Sequence, residues 1–250
     1  MFKKLLLVFA LASFLAAPAL AQDKVYINGI DADFPPFAFV GPDGQPTGFD
    51  VDAINWIAKE MGFQVTHQPL EWSGIVANLK ARKIDMIASG LSVSEERATQ
   101  IAFSLPYWTI KQVILCPSDS DLTPEQVLSS GREIGVQTGT SDAEAMAAAN
   151  GKDGRNYVLK EYPSPALAAE DVVNGRLIAA VMNDAPAADL VAKRPLKIVG
   201  EAGLPEELFA VGVAIDDPQT LEMINQGLTK LMADPYWQEL IEKYKPGDVH

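Results

Sequence analysis

Short apolar runs separated by stretches of helical periodicity recur from Lys24 to the end of the chain, the pattern of an α/β protein with mostly parallel strands. The runs predict strands over residues 24–30, 64–69, 84–88, 112–116, 132–137, 178–183, 196–199 and 209–215. Between the first two, Val51, Ile54, Ala58 and Met61 fall at helical spacing, with Asp50 as the expected N-cap and Gly62 as the stop signal. A second helix is predicted after Asp217-Pro218, where Leu221, Ile224, Leu228 and Leu231 form one apolar stripe that reads as core. A last short helix is predicted over residues 234–244, and Ala147 to Ala149 with Gly151 to Gly154 reads as an exposed helix end and turn. No internal repeat or low-complexity linker interrupts the series.

The first residues break the pattern. A cationic start, Lys3-Lys4, precedes an apolar run from Leu5 through Ala17 that is too short to span a bilayer comfortably, and Ala19-Leu20-Ala21 makes a small-x-small cleavage site. Residues 1–21 are therefore expected to be a cleaved secretory signal peptide. No later stretch is long and apolar enough for a transmembrane helix.

With 250 residues, 48% of them hydrophobic, the chain has material for two domains or one large one. The formal charge of −13, from 20 Lys plus Arg against 33 Asp plus Glu with no basic stripe, argues against nucleic acid and anionic membranes as partners. One cysteine, Cys116, excludes an intrachain disulfide, and its place in Val113-Ile114-Leu115-Cys116 reads as a small buried hydrophobe. His67 and His250 are too few and too far apart for a zinc cluster, so no metal or cofactor is expected.

Open α/β sheets bind ligands beyond the carboxyl ends of their strands, so the residues just past each predicted strand are the first candidates for a site. Asp31 and Phe34-Pro35-Pro36-Phe37 lie past the first; Ser89, Gly90 and Ser92 lie past Ile84 to Ala88; Thr138 to Ser141 lie past Ile134 to Gln137; Asn183 and Asp184 end Ala179 to Met182. Two of these loops run into helix starts, at Ser94-Glu95-Glu96-Arg97 and Ser141-Asp142-Ala143-Glu144, where free backbone N–H groups favour an anion. Arg97, one turn into its helix, can add a bidentate guanidinium. Each feature also has an ordinary reading: Ser, Thr and Gly cap helices, Arg97 is a surface charge, Asp184 before Ala185-Pro186 is an N-cap, and Phe34 and Phe37 are core.

At these residues the chain resembles the periplasmic amino-acid-binding proteins of ABC importers, the family 3 extracellular solute-binding proteins. The resemblance runs through Asp33 to Phe37, Gly48-Phe49-Asp50-Val51-Asp52, Trp72-Ser73-Gly74-Ile75, Ile84 to Arg97, Phe103 to Tyr107, Gly135 to Ser141 and Val181 to Pro186, in family order over nearly the whole mature chain. It implies a two-lobe periplasmic-binding-protein fold of type II, with lobe one at 23–107 plus 210–250, lobe two at 112–205, and hinge crossovers at 107–111 and 205–210. Carried over position by position, Arg97 holds the ligand carboxylate with backbone N–H groups of Ser92 and Ser141, and Asp184 holds the ammonium with the Gly90 carbonyl and Ser92 hydroxyl. Asp31, Phe34, Trp72, Gln137 and Asn183 face the ligand side chain, and Leu91 and Thr140 complete the expected site. One cation and one anion in a shared cleft complement a zwitterion, and Asp31, with no Lys or Arg beside it, favours a polar or cationic amino acid over an acidic one. Ile178 stands where the family usually has Asp, which leaves Asn183 or Asp184 for the ammonium; the ending Asn183-Asp184-Ala185-Pro186 favours Asp184.

The resemblance thus implies a monomeric periplasmic protein that takes up a small-molecule amino acid and delivers it to an ABC permease in the inner membrane, without catalysis. The alternatives are a periplasmic dehydratase of the same fold acting on a prephenate-like substrate, and a soluble ligand sensor. A serine hydrolase is disfavoured: Gly90-Leu91-Ser92-Val93-Ser94 lacks the final Gly of a nucleophile elbow, and a triad would then need a His after its acid, for which only His250, the last residue, remains.

Overall fold

Parallel strands cannot be joined by tight turns, so each apolar run needs a return segment after it, and the helices provide it. The computed structural model describes residues 24–245; the expected signal peptide lies outside the described residues. In the first sheet the strands lie in the order Gln64–Pro69, Val25–Ile30, Met86–Ile87, Gly212–Ala214, Ile101–Phe103. The first three are parallel, and Gly212–Ala214 runs antiparallel to both neighbours. Helix Phe49–Met61 connects the first two strands in chain order and buries Ile54 and Ile57 against Ile224, Leu228 and Leu231 of helix Pro218–Ala233. The first helix stops at Gly62, whose φ of 76° is the left-handed cap that favours glycine. The second starts at Asp217, whose carboxylate accepts from the Thr220 backbone N–H.

The second sheet repeats the arrangement: Val158–Tyr162, Glu133–Gln137, Ala179–Asn183, then the antiparallel strand Gln112–Pro117 and the edge strand Leu196–Glu201. Ala179–Asn183 is buried along its whole length, which is why it reads as a continuous apolar run rather than an alternation. Cys116 is fully buried in the core beneath this sheet, as its sequence context predicts. The molecule is therefore a two-lobed α/β protein.

The chain passes between the lobes as Trp108–Ile110 and as Glu207–Phe209, two short strands that pair antiparallel with each other, Glu207 opposite Ile110 and Phe209 opposite Trp108. The single strand expected over 209–215 is in fact two, because its beginning pairs in this ribbon and its end joins the first sheet. Strand Val158–Tyr162 has no counterpart among the expected strands; it is a polar, mostly exposed edge and carries no apolar run. Asp50 is not an N-cap: Gly48 holds that position without a side-chain bond, and Asp50 is buried in the first turn. Among the described residues no helix is long and apolar enough to cross a membrane.

Candidate ligand site

Both sheets order their first three parallel strands second, first, third, so in each the chain changes direction beside the first strand, and that is where a crevice opens at the carboxyl ends. The two crevices face each other around a small, largely enclosed cavity. The first lobe contributes Phe34, Trp72, Ser89, Gly90, Ser92 and Arg97; the second contributes Gln137, Thr140, Ser141, Asp142 and Asn183, with Pro165, Val181 and Met182 closing the wall. The lobes are drawn together over it. Trp72 Nε1 and Arg97 Nη2 both donate to the Gly139 carbonyl, at 3.1 and 3.0 Å, and Gln137 Nε2 donates to Asp31 Oδ2 at 2.7 Å. Gly139 sits at φ 73°, and a Cβ there would lie 3.0 Å from the Ser73 Cα, so this approach requires glycine.

Arg97 lies in the short helix Glu95–Ala98, started by Ser94, whose hydroxyl accepts from the Arg97 N–H. Its guanidinium donates from Nη1 to the Ser92 carbonyl and lies 5.5 Å from the Trp72 ring centre. Only 7% of the residue is exposed, yet among the described residues it forms no ion pair: its two hydrogen-bond partners are neutral carbonyls. Burial pulls its pKa below the ordinary value, while Glu144, Glu207 and Asp142 act against this from a distance. A buried cation without a counter-ion is costly, and its remaining N–H groups suit an anion brought by the ligand.

Asp142 is the opposite case. Helix Ser141–Ala149 is capped by Thr140, whose hydroxyl accepts from Ala143 N–H, and this directs the next turn's side chains toward the crevice. Asp142 is 5% exposed, and both its oxygens accept from Asn183 Nδ2 at 3.0 Å. Its pKa is pushed from 3.8 to about 7, chiefly by burial and then by Glu207, with Asn183 and Arg97 pulling the other way. Glu207, in the second crossover, is itself held by the Ser141 hydroxyl at 2.7 Å. The cavity wall thus presents one buried cation and one buried carboxylate, neither in an ion pair among the described residues.

Of the residues expected from sequence, the cavity gathers Phe34, Trp72, Gly90, Ser92, Arg97, Gln137, Thr140 and Ser141. Asp31 stands behind Gln137, its other oxygen accepting from Asp33 N–H; burial raises its pKa against these bonds. Leu91 is fully buried core beneath the loop, packed with Ile87 and Ile101. Asp184 is not brought to the cavity. Asn183, the last residue of its strand, faces it; the next residue turns away, and the Asp184 carboxylate accepts from the Ala185 N–H at 2.9 Å. Asp142 is the charged cavity-lining residue that sequence reasoning missed, along with Pro165, Val181 and Met182 in the wall. A signal for Asp142 exists: with a neutral Asn183 at the strand end, the acid in the adjacent helix start is the next candidate.

Gly90, at φ 60°, packs directly beneath Phe34, and a Cβ there would lie 2.5 Å from that ring. Among the described residues no cluster of three His, Cys, Asp or Glu side chains is placed to hold a metal ion.

Residues 26–247 match the family model of bacterial extracellular solute-binding proteins, family 3. The chain is 32% identical over 257 residues to an L-arginine-binding protein of Pseudomonas aeruginosa, covering 99% of this chain and 98% of the relative. It is 29% identical over 252 residues to a histidine-binding periplasmic protein of Salmonella typhimurium, covering 98% and 96%. Among solved structures, an ancestral arginine-binding protein bound to arginine superposes with a TM-score of 0.80 at 30% identity, covering 88% of this chain and 98% of that one.

Proposed function

Because this chain belongs to the bacterial extracellular solute-binding proteins of family 3, we propose that it captures a free α-amino acid with a polar or cationic side chain and hands it to a membrane permease. The observation that carries this reading is the pair of buried, unpaired charges, Arg97 and Asp142, on one cavity wall. A zwitterion satisfies both at once: the carboxylate takes the free N–H groups of Arg97 and the backbone amides of Ser92 and Ser141, and the ammonium meets Asp142 beside Asn183. The ammonium role thereby passes from Asp184 to Asp142. Phe34 and Trp72 flank the side chain, where a cationic tip gains about 0.5 to 2 kcal/mol from an aromatic face. Asp31, reached through Gln137, supplies negative charge at that end of the cleft. The arginine- and histidine-binding relatives support the same class.

The crossover ribbon is the hinge of this scheme, with residues 23–107 plus 210–250 moving against 112–205. In the open form the cleft admits the amino acid, and closure buries it, the state a permease distinguishes. We take the protein to act by binding without chemistry, and to be exported by residues 1–21 to the periplasm. A thermal-shift screen of refolded, ligand-stripped protein against the twenty amino acids, prephenate, sugars and dicarboxylates tests the proposal. Ligand at a hundred times its Kd adds about 2.7 kcal/mol, a shift of several degrees. A shift with one or a few polar or cationic amino acids is expected. A shift with prephenate or a dicarboxylate and none with any amino acid overturns it.

A further inference from the structure

Asp50 belongs to the segment Gly48-Phe49-Asp50-Val51-Asp52, yet its carboxylate does nothing for its own helix. It turns inward, 2% exposed, and a single oxygen, Oδ2, accepts from the Gly90 backbone N–H at 2.6 Å and from the Tyr107 hydroxyl at 2.8 Å. These donors belong to different working parts. Gly90 lines the ligand cavity, two residues before Ser92, whose carbonyl holds Arg97. Tyr107 precedes the crossover strand Trp108–Ile110, and its own N–H donates to the Phe209 carbonyl of the other crossover. The loop touches that second crossover too: the Ala210 N–H donates to the Leu91 carbonyl at 3.0 Å.

Beside Asp50 is a small apolar void, walled by Ala53, Ile54, Ala88, Val211, Leu228 and Trp237; Tyr107 is the other titratable group that faces it there. Burial pushes the Asp50 pKa up to about 7 in spite of the two bonds it accepts. A carboxyl group is therefore held in an apolar setting, and its hydrogen bonds go to the ligand loop and the residue at the head of the hinge.

We propose that Asp50 is a positioning residue that ties the ligand loop at Gly90 to the hinge at Tyr107, so that the loop takes its binding geometry only with the crossover in its closed position. The inference rests on reading the cleft as the amino-acid site. Motion of Tyr107 during opening pulls on the oxygen that also holds Gly90, and a loop set by Asp50 in turn biases the crossover.

The test uses the full chain stripped of ligand, with Tyr107→Phe, Asp50→Asn and the double variant. Two readouts are measured: affinity for L-arginine, L-histidine and L-glutamine by calorimetry, and amide hydrogen exchange of the ligand-free protein. Each single variant is expected to weaken binding by about three- to tenfold, the equivalent of one hydrogen bond. The double should lose no more than the worse single, because both act through one oxygen. In Tyr107→Phe, exchange should rise together in residues 89–92 and 207–211. Affinities within about twofold of the wild type, losses that multiply in the double, or exchange unchanged at 89–92 would each overturn the proposal. Should Asp50→Asn fail to fold, Tyr107→Phe decides by itself on affinity and exchange. A wild type that binds none of the twenty amino acids in the screen overturns the amino-acid reading, and the exchange measurement still decides the coupling.

Discussion

Replacing Asp142 by Asn should move affinity and stability in opposite directions. The carboxylate is buried beside Asn183, in no ion pair among the described residues, and its pKa rises from 3.8 to about 7. At about 1.4 kcal/mol per pH unit, keeping the charge buried costs the ligand-free protein on the order of 4 kcal/mol above neutrality. A folded-state pKa above the unfolded one gives stability that is full below 3.8 and lost as the pH rises through about 7. The wild type should therefore melt at a higher temperature at pH 5 than at pH 8, and Asp142→Asn should flatten that slope and melt above the wild type at pH 8. Asp50, also pushed up to about 7, leaves a residual slope of the same sign. Affinity should go the other way: removing one member of a buried ion pair costs about 3 to 5 kcal/mol, a loss of more than about a hundredfold in Kd. Calorimetry at pH 8 and melting curves of ligand-free protein at pH 5 and 8 supply both numbers. Asp184→Ala is the control, expected to bind as the wild type does, since its carboxylate is turned onto the Ala185 N–H. Binding by Asp142→Asn within about tenfold of wild type, or melting below it at pH 8, would refute the assignment of the ammonium to Asp142.

The same geometry makes three further outcomes testable. Arg97→Lys keeps the charge but not the planar fork that donates to Ser92, Gly139 and a carboxylate, so affinity measured by calorimetry should fall by about a hundredfold. Gly139→Ala places a methyl group 3.0 Å from the Ser73 Cα at a left-handed φ, and small-angle scattering of the ligand-saturated variant should give a larger radius of gyration than the saturated wild type. Asp31→Asn, which leaves Gln137 an acceptor but removes the charge, should weaken cationic amino acids more than neutral ones; equal losses in calorimetry would rule out Asp31 as a charge selector.

The legible part of the sequence is whatever burial on both faces writes into it. Ala179–Asn183 and Gln112–Pro117 are central strands with every residue but Pro117 buried, and both are visible as apolar runs. Val158–Tyr162 is an edge whose place depends on the backbone of Glu133–Gln137, not on its own side chains, so no pattern announces it. The division of 209–215 is also invisible locally, since one part pairs with the other crossover and the next with the first sheet. The same holds at the site. Arg97 and Phe34 are legible because loops at strand ends converge by topology alone, whereas Trp72 is legible only through the family resemblance. Which of two adjacent residues, Asn183 or Asp184, faces the cleft depends on strand phase, and the choice of Asp142 depends on a helix from a neighbouring loop.

The central claim is that Arg97 and Asp142 read the two ends of an α-amino acid. Its most direct test is calorimetry of the ligand-stripped protein with whichever amino acid gives the largest thermal shift, beside the decarboxylated amine and the N-acetylated form of that same molecule. The parent amino acid should bind at micromolar Kd or tighter, about −8 kcal/mol, and each derivative at least about a hundredfold more weakly. A decarboxylated amine or an N-acetyl derivative that binds as tightly as the parent would contradict the claim, since the first leaves Arg97 and the second Asp142 buried without a partner.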